Sequence, residues 1–166
     1  MAKSNAAFFA VVALAAALFI GAISTLVLPI QPPLITGPGV SGRSPTVNIV
    51  LYAGEISAST FGFGLSASNL TSPGPTLRFT TSDVVNLTLI NVGAVPHAFA
   101  VVDAPKTGAT VLFNSGIASA ANPVQPGGTG SVIFSPNSPN DQYYYICPVP
   151  GHPELGMYGA CVVTVG

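Results

Sequence analysis

The stretch "YYYICPVPGHPELGMYG", residues 143–159, gathers reactive side chains in a chain that has few of them. It contains Cys147, His152 and Met157 with the spacing C-x4-H-x4-M. Aromatic and β-branched residues before Cys147 and after Met157 are typical of strands. We therefore expect the residues between them to form a tight loop that turns a thiol, an imidazole and a thioether toward one point.

Such a donor set is typical of a metal site. A soft thiolate combined with a weak thioether suits copper, whereas structural zinc prefers four Cys or His ligands. One more imidazole is needed, and His97 is the only other histidine in the chain. It begins a predicted strand after an apolar segment that is placed to carry it beside the loop. His97 is therefore the candidate for the missing ligand.

Composition excludes several classes of function. Only 5% of the 166 residues are charged and the formal net charge is −1. No cluster of Lys or Arg is present that would neutralise several phosphates, so nucleic-acid binding is not expected. A second, catalytic copper would need further ligands that this chain lacks unless a partner subunit supplies them. We therefore expect neither an enzyme nor a small-molecule substrate.

The first 45 residues differ from the rest. Within residues 1–28, the only polar residues from 6 to 28 are Ser24 and Thr25, and this apolar length is enough for a helix to cross a bilayer. A cleaved secretory signal is the alternative, but its apolar core is normally shorter. We expect a retained anchor with the N-terminus inside, because Lys3 is the only basic residue before the span. Residues 29–45 hold five Pro and three Gly, which predicts a linker.

Residues 46–166 read as one all-β domain with short strands between turn residues. In the segment 84–92, Val85, Leu87 and Leu89 alternate with Asn86 and Thr88, which predicts a buried and a solvent-facing side. The NLT triplets at Asn69 and Asn86 fit an extracytoplasmic domain. The number of strands predicts an antiparallel sandwich. The candidate strands are 46–52, 61–65, 76–80, 84–92, 97–102, 109–113, 130–135, 142–147 and 158–165.

Three segments carry a resemblance to a known family. "PGPTLRF" (73–79), "VVNLTLINVGAVPHAF" (84–99) and the loop quoted above resemble, in order and spacing, the cupredoxin family of blue copper proteins. The loop is most similar to the rusticyanin and sulfocyanin branch. The resemblance implies a Greek-key β-sandwich in which one type 1 copper is bound by His97, Cys147 and His152 in a trigonal plane. It also implies that Met157 is a long axial ligand.

The resemblance further implies a function and a docking surface. It implies an electron carrier that passes single electrons between respiratory components, such as a quinol or cytochrome complex and a terminal oxidase, on the outer face of the membrane. The edge of His152 would reach the surface within an apolar patch suited to transient contact with a redox partner. The surrounding residues are Pro148, Pro150, Pro153 and Leu155.

The groups around the thiolate are expected to tune the site. The three prolines of the loop lack an N–H group, so Val149 is the only donor between Cys147 and Gly151. We expect the Val149 and Ala98 amides to donate to the Cys147 sulfur, which would favour the reduced site and a comparatively high reduction potential. Most cupredoxins place Asn or Ser directly after the first ligand histidine, where it ties the ligand-bearing segments together. This chain departs from that pattern with Ala98.

Alternatives remain open from the sequence alone. Cys147 and Cys161 are the only two cysteines and would be able to form a disulfide, although Cys161 reads as a buried thiol on the same strand face as Val163 and Val165. Glu154 is an oxygen ligand that would compete for the metal, although solvent exposure is expected. At the level of function, the alternatives are a copper storage or delivery protein and a metal-free cell-surface structural or assembly protein.

Overall fold

The computed structural model describes residues 43–166, and these residues form eight β-strands and no α-helix. No helix long and apolar enough to cross a membrane occurs in this part of the chain. The anchor predicted for residues 1–28 and the linker up to residue 42 lie outside the described residues. The strands are β1 (Val47–Ser57), β2 (Thr60–Gly64), β3 (Gly74–Thr80), β4 (Val85–Asn91), β5 (Ala100–Val102), β6 (Thr129–Phe134), β7 (Asn140–Ile146) and β8 (Tyr158–Thr164).

The strands form two four-stranded sheets with the orders β2-β1-β4-β6 and β3-β8-β7-β5. Every connection from β2 to β7 passes from one sheet to the other. Strands that are neighbours in a sheet are therefore often distant in sequence, and two of the pairs, β1 with β4 and β3 with β8, run parallel. The predicted sandwich is present, but its pairing is mixed rather than antiparallel as predicted.

The core lies between the sheets and follows the alternation read from the sequence. In β4, Val85, Leu87 and Leu89 are fully buried, while Asn86 and Thr88 are partly exposed, as predicted. The Asn86 amide donates to the side-chain oxygen of Asn48 on the parallel neighbour β1, at 3.0 Å. Each large apolar side chain that is fully buried contributes about 1.5–3 kcal/mol to stability.

One predicted strand is absent from the described residues, and one predicted position is wrong. Residues 109–113 form only an isolated bridge between Val102 and Val111. The chain cannot continue as a strand because Phe113 and Asn114 have φ angles of 56° and 51°, in the left-handed region. Cys161 is buried as expected, but Val165 lies beyond the end of β8 and is 79% exposed.

Tyr145 on β7 is the largest of the fully buried side chains. Its ring packs against Phe63 and Phe99 from the facing elements, and its hydroxyl donates to the carbonyl of Pro75 at 2.6 Å. The neighbouring strand β8 places Gly159 directly against this ring, where a Cβ atom would overlap it. Glycine is therefore required at position 159 by the close approach of the tyrosine.

We expect Gly159→Ala to lower the free energy of unfolding by about 1–3 kcal/mol, because the buried ring can move only by giving up its packing and its hydrogen bond. Denaturant unfolding of the metal-free protein measures the change. Gly116→Ala is the matched control, since a Cβ there would have no neighbour closer than 3.9 Å, and its effect should stay within about 1 kcal/mol. Equal losses in the two variants would contradict the role of the close contact.

Candidate metal centre

The ends of the loop are held by two neighbouring strands. Cys147 follows β7 and Met157 precedes β8, and these strands pair antiparallel. The pairing extends one step into the loop, where the Cys147 amide donates to the Met157 carbonyl at 3.1 Å. The structure therefore brings both sulfur-bearing residues to the same end of the sandwich, as the spacing predicted.

His152 reaches the same point because the loop reverses twice. Gly151 and Gly156 have φ angles of 85° and 91°, a backbone conformation that glycine adopts at little cost. Within the loop, the amide of Met157 donates to the His152 carbonyl at 2.9 Å, and the His152 amide donates to the Val149 carbonyl at 3.1 Å. These short-range bonds make the loop compact.

His97 comes from the connection between β4 and β5. Its backbone exchanges two hydrogen bonds with Val124, at 3.0 and 2.7 Å. Because β5 pairs with β7, the residues before β5 lie beside the residues after β7. The amide of Ala98 consequently donates to the Cys147 sulfur at 3.3 Å, and His97 is carried next to the loop.

Three donor atoms form a small triangle. The two Nδ1 atoms of His97 and His152 are 3.3 Å apart, and the Cys147 Sγ lies 3.4 Å from His152 Nδ1 and 3.9 Å from His97 Nδ1. With metal bonds of about 2.0 Å to nitrogen and 2.3 Å to sulfur, a trigonal ion would separate its ligands by roughly 3.5–3.7 Å. The triangle therefore has the size that one ion needs.

The fourth donor and the redox state of the thiols complete the set. Met157 is fully buried, and its backbone is bonded to both Cys147 and His152. Two imidazoles and a thiolate with a weak thioether are the ligands of blue copper sites. Cys147 and Cys161 are both free, so they do not form the disulfide considered from the sequence.

Burial controls the protonation of these groups in the metal-free protein. Burial lowers the pKa of His97 to about 4, with a further decrease from the neighbouring His152 and an opposing effect of Glu55. Burial also raises the pKa of the Cys147 thiol to about 11, against the effect of the Ala98 and Val149 amides, which stabilise the thiolate. At neutral pH the Nδ1 atoms of His97 and His152 are ready to bind a metal, while the Cys147 thiol must first lose its proton.

Phe61 on β2 packs against both histidines and was not singled out from the sequence. Its ring stacks on the His152 imidazole with centroids 4.4 Å apart, and meets the His97 ring edge-on at 5.7 Å. The Nε2 atom of His97 is buried and has no hydrogen-bond partner among the described residues. Packing and the backbone therefore position His97, rather than a hydrogen bond at Nε2. No sequence signal separates Phe61 from the other phenylalanines.

Two polar residues that were not predicted from the sequence as part of the site hold the loop that leads to His97. Asn91 is fully buried, and its amide group makes three hydrogen bonds of 2.9 Å to the backbone of residues 93, 95 and 124. The half-buried Glu55 accepts hydrogen bonds from the amides of Ala94 and Val95 at 2.9 Å. A signal for Asn91 existed in the sequence, since it continues the buried face of β4.

Only one of the four candidate ligands reaches the surface. His152 is partly exposed, whereas His97, Cys147 and Met157 are fully buried. Of the surrounding residues predicted to form an apolar patch, Pro148 is partly exposed and Pro150 and Leu155 are exposed. Pro153 is buried within the turn and does not contribute, because residues 151–156 fold back on themselves through the hydrogen bond from the Leu155 amide to the Gly151 carbonyl. Glu154 is exposed, as expected.

Comparison with known proteins identifies the fold. No protein-family profile and no curated protein sequence match the chain. Rusticyanin from Thiobacillus ferrooxidans matches with a TM-score of 0.53 and 23% identity over 77% of this chain and 86% of its own. Auracyanin B matches with a TM-score of 0.51 and 23% identity over 78% of this chain and 96% of its own. The described domain has the cupredoxin fold.

The cupredoxin fold also occurs in larger proteins among the matches. A multi-copper oxidase from Pseudomonas thermotolerans has a TM-score of 0.53 and 16% identity over 74% of this chain, but the chain spans only 30% of the oxidase. The likeness to that enzyme therefore concerns the fold of one part of it. Within the cupredoxin fold, the His-Cys-His-Met donor set of this chain fits one type 1 copper ion.

We expect the metal-free protein to lose stability as the pH falls from 6.5 to about 4. The unfolded chain protonates His97 near pH 6.5, whereas the folded protein does so only near pH 4, so protons bind the unfolded state first. The free energy of unfolding should decrease by roughly 2 kcal/mol across this interval. Denaturant unfolding at a series of pH values measures it. His97→Leu is the control, and an equally steep decrease in that variant would contradict the assignment.

Proposed function

We propose that this protein is a membrane-anchored type 1 copper electron carrier on the outer face of the membrane, in which His97, Cys147, His152 and Met157 would hold the copper ion. The observation that best supports the copper site is the triangle of two Nδ1 atoms and one Sγ atom with sides of 3.3, 3.4 and 3.9 Å. A copper ion bound there would supply the reversible gain and loss of one electron.

The protein's own contribution is to keep the donor atoms in place in both redox states. His97 is fixed by its backbone bonds to Val124, and Cys147 by its backbone bond to Met157 and the amide of Ala98. Ligands that do not have to move keep the reorganisation on electron transfer small. The Ala98 hydrogen bond and the apolar surroundings favour the less charged, reduced site, which supports a comparatively high reduction potential.

The small number of metal-binding side chains favours a carrier over an enzyme. His97 and His152 are the only histidines of the 166 residues. Both take part in the one donor cluster found among residues 43–166. A catalytic copper would therefore need ligands from another subunit. The copper storage alternative and the metal-free alternative differ from the carrier in colour, since neither would hold Cu(II) in a thiolate site.

The partners we propose are redox proteins, with a quinol or cytochrome complex as donor and a terminal oxidase as acceptor. His152 is the partly exposed ligand, and Leu155 next to it is 42% exposed. With 5% charged residues, long-range electrostatic steering would be weak. Attachment to the membrane through residues 1–28 would raise the local concentration of the carrier near membrane-bound partners.

Loading the purified protein with Cu(II) tests the proposed function. We expect an intense visible absorption band from the thiolate and a reversible one-electron reduction, because the Cys147 sulfur is a ligand. Cys147→Ala should abolish the band. Cys161→Ala is the matched control, since its thiol is equally buried and free but is not part of the donor cluster, and it should keep the band. A colourless wild-type protein would rule the carrier out.

We expect Leu155→Ser to slow electron exchange between two copies of the protein by roughly fivefold, the effect of losing about 1 kcal/mol of apolar contact at a docking surface. Line broadening in NMR spectra of mixed oxidised and reduced protein measures the exchange rate. Val165→Ser is the control, because Val165 is 79% exposed but follows the opposite end of β8 from Met157. Equal rates in the two variants would place the docking surface elsewhere.

A further inference from the structure

The chain contains only two glutamates. Each accepts hydrogen bonds from backbone amides, and each is bonded to, or part of, a loop that carries a candidate ligand histidine. Glu55 bonds the loop before His97, as described above. Glu154 lies two residues after His152, and its carboxylate is bonded to Thr107. Both carboxylates have defined partners in a protein that carries very few charges, so neither is a freely solvated surface group.

Thr107 makes three contacts with the loop that carries His152. Its amide donates to one carboxylate oxygen of Glu154 at 2.9 Å, and its hydroxyl donates to the other oxygen at 2.9 Å. The same hydroxyl oxygen accepts the amide of Gly151 at 3.2 Å. One threonine is therefore bonded to the residue before His152 and to the carboxylate two residues after it. We call this arrangement the Thr107 clamp.

The Thr107 clamp comes from a different segment of the chain from Phe61, which contacts His152 itself. Thr107 belongs to the long connection between β5 and β6, whereas Phe61, which stacks on the imidazole, belongs to β2. The amide of Phe61 also donates to the carbonyl of Leu155 at 3.1 Å. The His152 loop is therefore attached to two separate segments, and both lie earlier in the chain.

A side-chain link from the residue after His97 is not possible in this protein. Ala98 has no side-chain donor or acceptor, and only its backbone amide contacts the Cys147 sulfur. A side-chain tie between the two histidine-bearing segments through position 98 is therefore missing. The Thr107 clamp supplies a tie to the same loop from the outside, through a charged acceptor, and charge-assisted hydrogen bonds are the stronger kind.

We propose that Thr107 and Glu154 are positioning residues that hold His152 in the donor triangle and replace the tie that Ala98 cannot make. This inference rests on the proposed function only in taking His152 as a ligand. The clamp itself is a property of the metal-free protein. Loss of an outer hydrogen-bond partner of a metal ligand typically lowers metal affinity by about 10- to 100-fold, and we expect the lower end because the clamp is exposed.

The test uses four variants of the full chain, each measured without metal and with Cu(II). Thr107→Val removes the hydroxyl and keeps the size and the backbone amide of the residue. Thr107→Ser restores a hydroxyl, and Glu154→Gln removes the charge of the acceptor while keeping one oxygen. Asp103→Asn is the matched control, since this carboxylate lies in the same connection and accepts the amide of Thr110 at 3.0 Å within that segment.

In the metal-free protein, hydrogen exchange at the Gly151 amide should become roughly 2- to 10-fold faster in Thr107→Val, as expected for the loss of one net hydrogen bond. Thr107→Ser and Asp103→Asn should exchange like the wild type. With Cu(II), affinity should fall about 10-fold in Thr107→Val, fall less in Glu154→Gln, and stay unchanged in the other two variants. The visible absorption band should persist in every variant, and its wavelength should shift in the variants whose copper affinity falls.

Several outcomes would overturn the proposal. One is unchanged exchange at Gly151 in Thr107→Val, because the clamp would then not exist in solution. Another is faster exchange with unchanged copper affinity, because the clamp would not act on His152. Equal losses in Asp103→Asn would show a charge effect. A wild type without a visible band would defeat the proposed function instead, while the exchange measurement would still decide whether the clamp exists. Glu154→Gln keeps the test valid if Thr107→Val fails to fold.

Discussion

The antiparallel pairing of β7 with β8 sets the distance between the two ends of the loop from Cys147 to Met157, and every other feature of the site depends on it. Cys147 and Met157 are held together by a backbone hydrogen bond that continues this pairing. Nine residues must then return within that short span, and the left-handed backbone at Gly151 and Gly156 makes this possible. A slip of one residue in the register would turn the thiol to the opposite face of the strand.

Around this loop, the candidate ligand side chains are positioned mainly by packing rather than by polar contacts. The Nε2 atom of His97 has no hydrogen-bond partner among the described residues, and the Nδ1 atom faces only the other donor atoms, so His97 is held by its neighbours and its backbone. Polar groups act one step further out, where Asn91 and Glu55 bond the loop before His97 and Thr107 bonds the loop around His152. The donor atoms are thus kept in an apolar environment while the surrounding backbone is fixed, as the proposed electron carrier would require.

The site residues that could not be predicted from the sequence were overlooked for one physical reason, which is that they reach the site from distant segments. Phe61 stacks on His152 from 91 positions away in the chain, and Thr107 bonds to Gly151 and Glu154 from 44 and 47 positions away. Nothing in the local sequence of either residue marks it. Glu154 was expected to be exposed, and it is, but its bond to Thr107 depends on the path of residues 103–128, where the predicted strand at 109–113 did not form. By contrast, Asn91 lay on a face that alternation already marked as buried, and a polar residue there was a usable signal.

The sequence by itself determined the donor set and the type of fold. Cysteine, histidine and methionine are so scarce here that their spacing predicted one site, their donor types favoured copper, and the period-two alternation of β4 placed the core. Only the tertiary structure decided which strands run parallel, which residues brace the two histidines and which prolines reach the surface. These depend on contacts between segments far apart in the chain, and local patterns of polarity carry no information about such contacts.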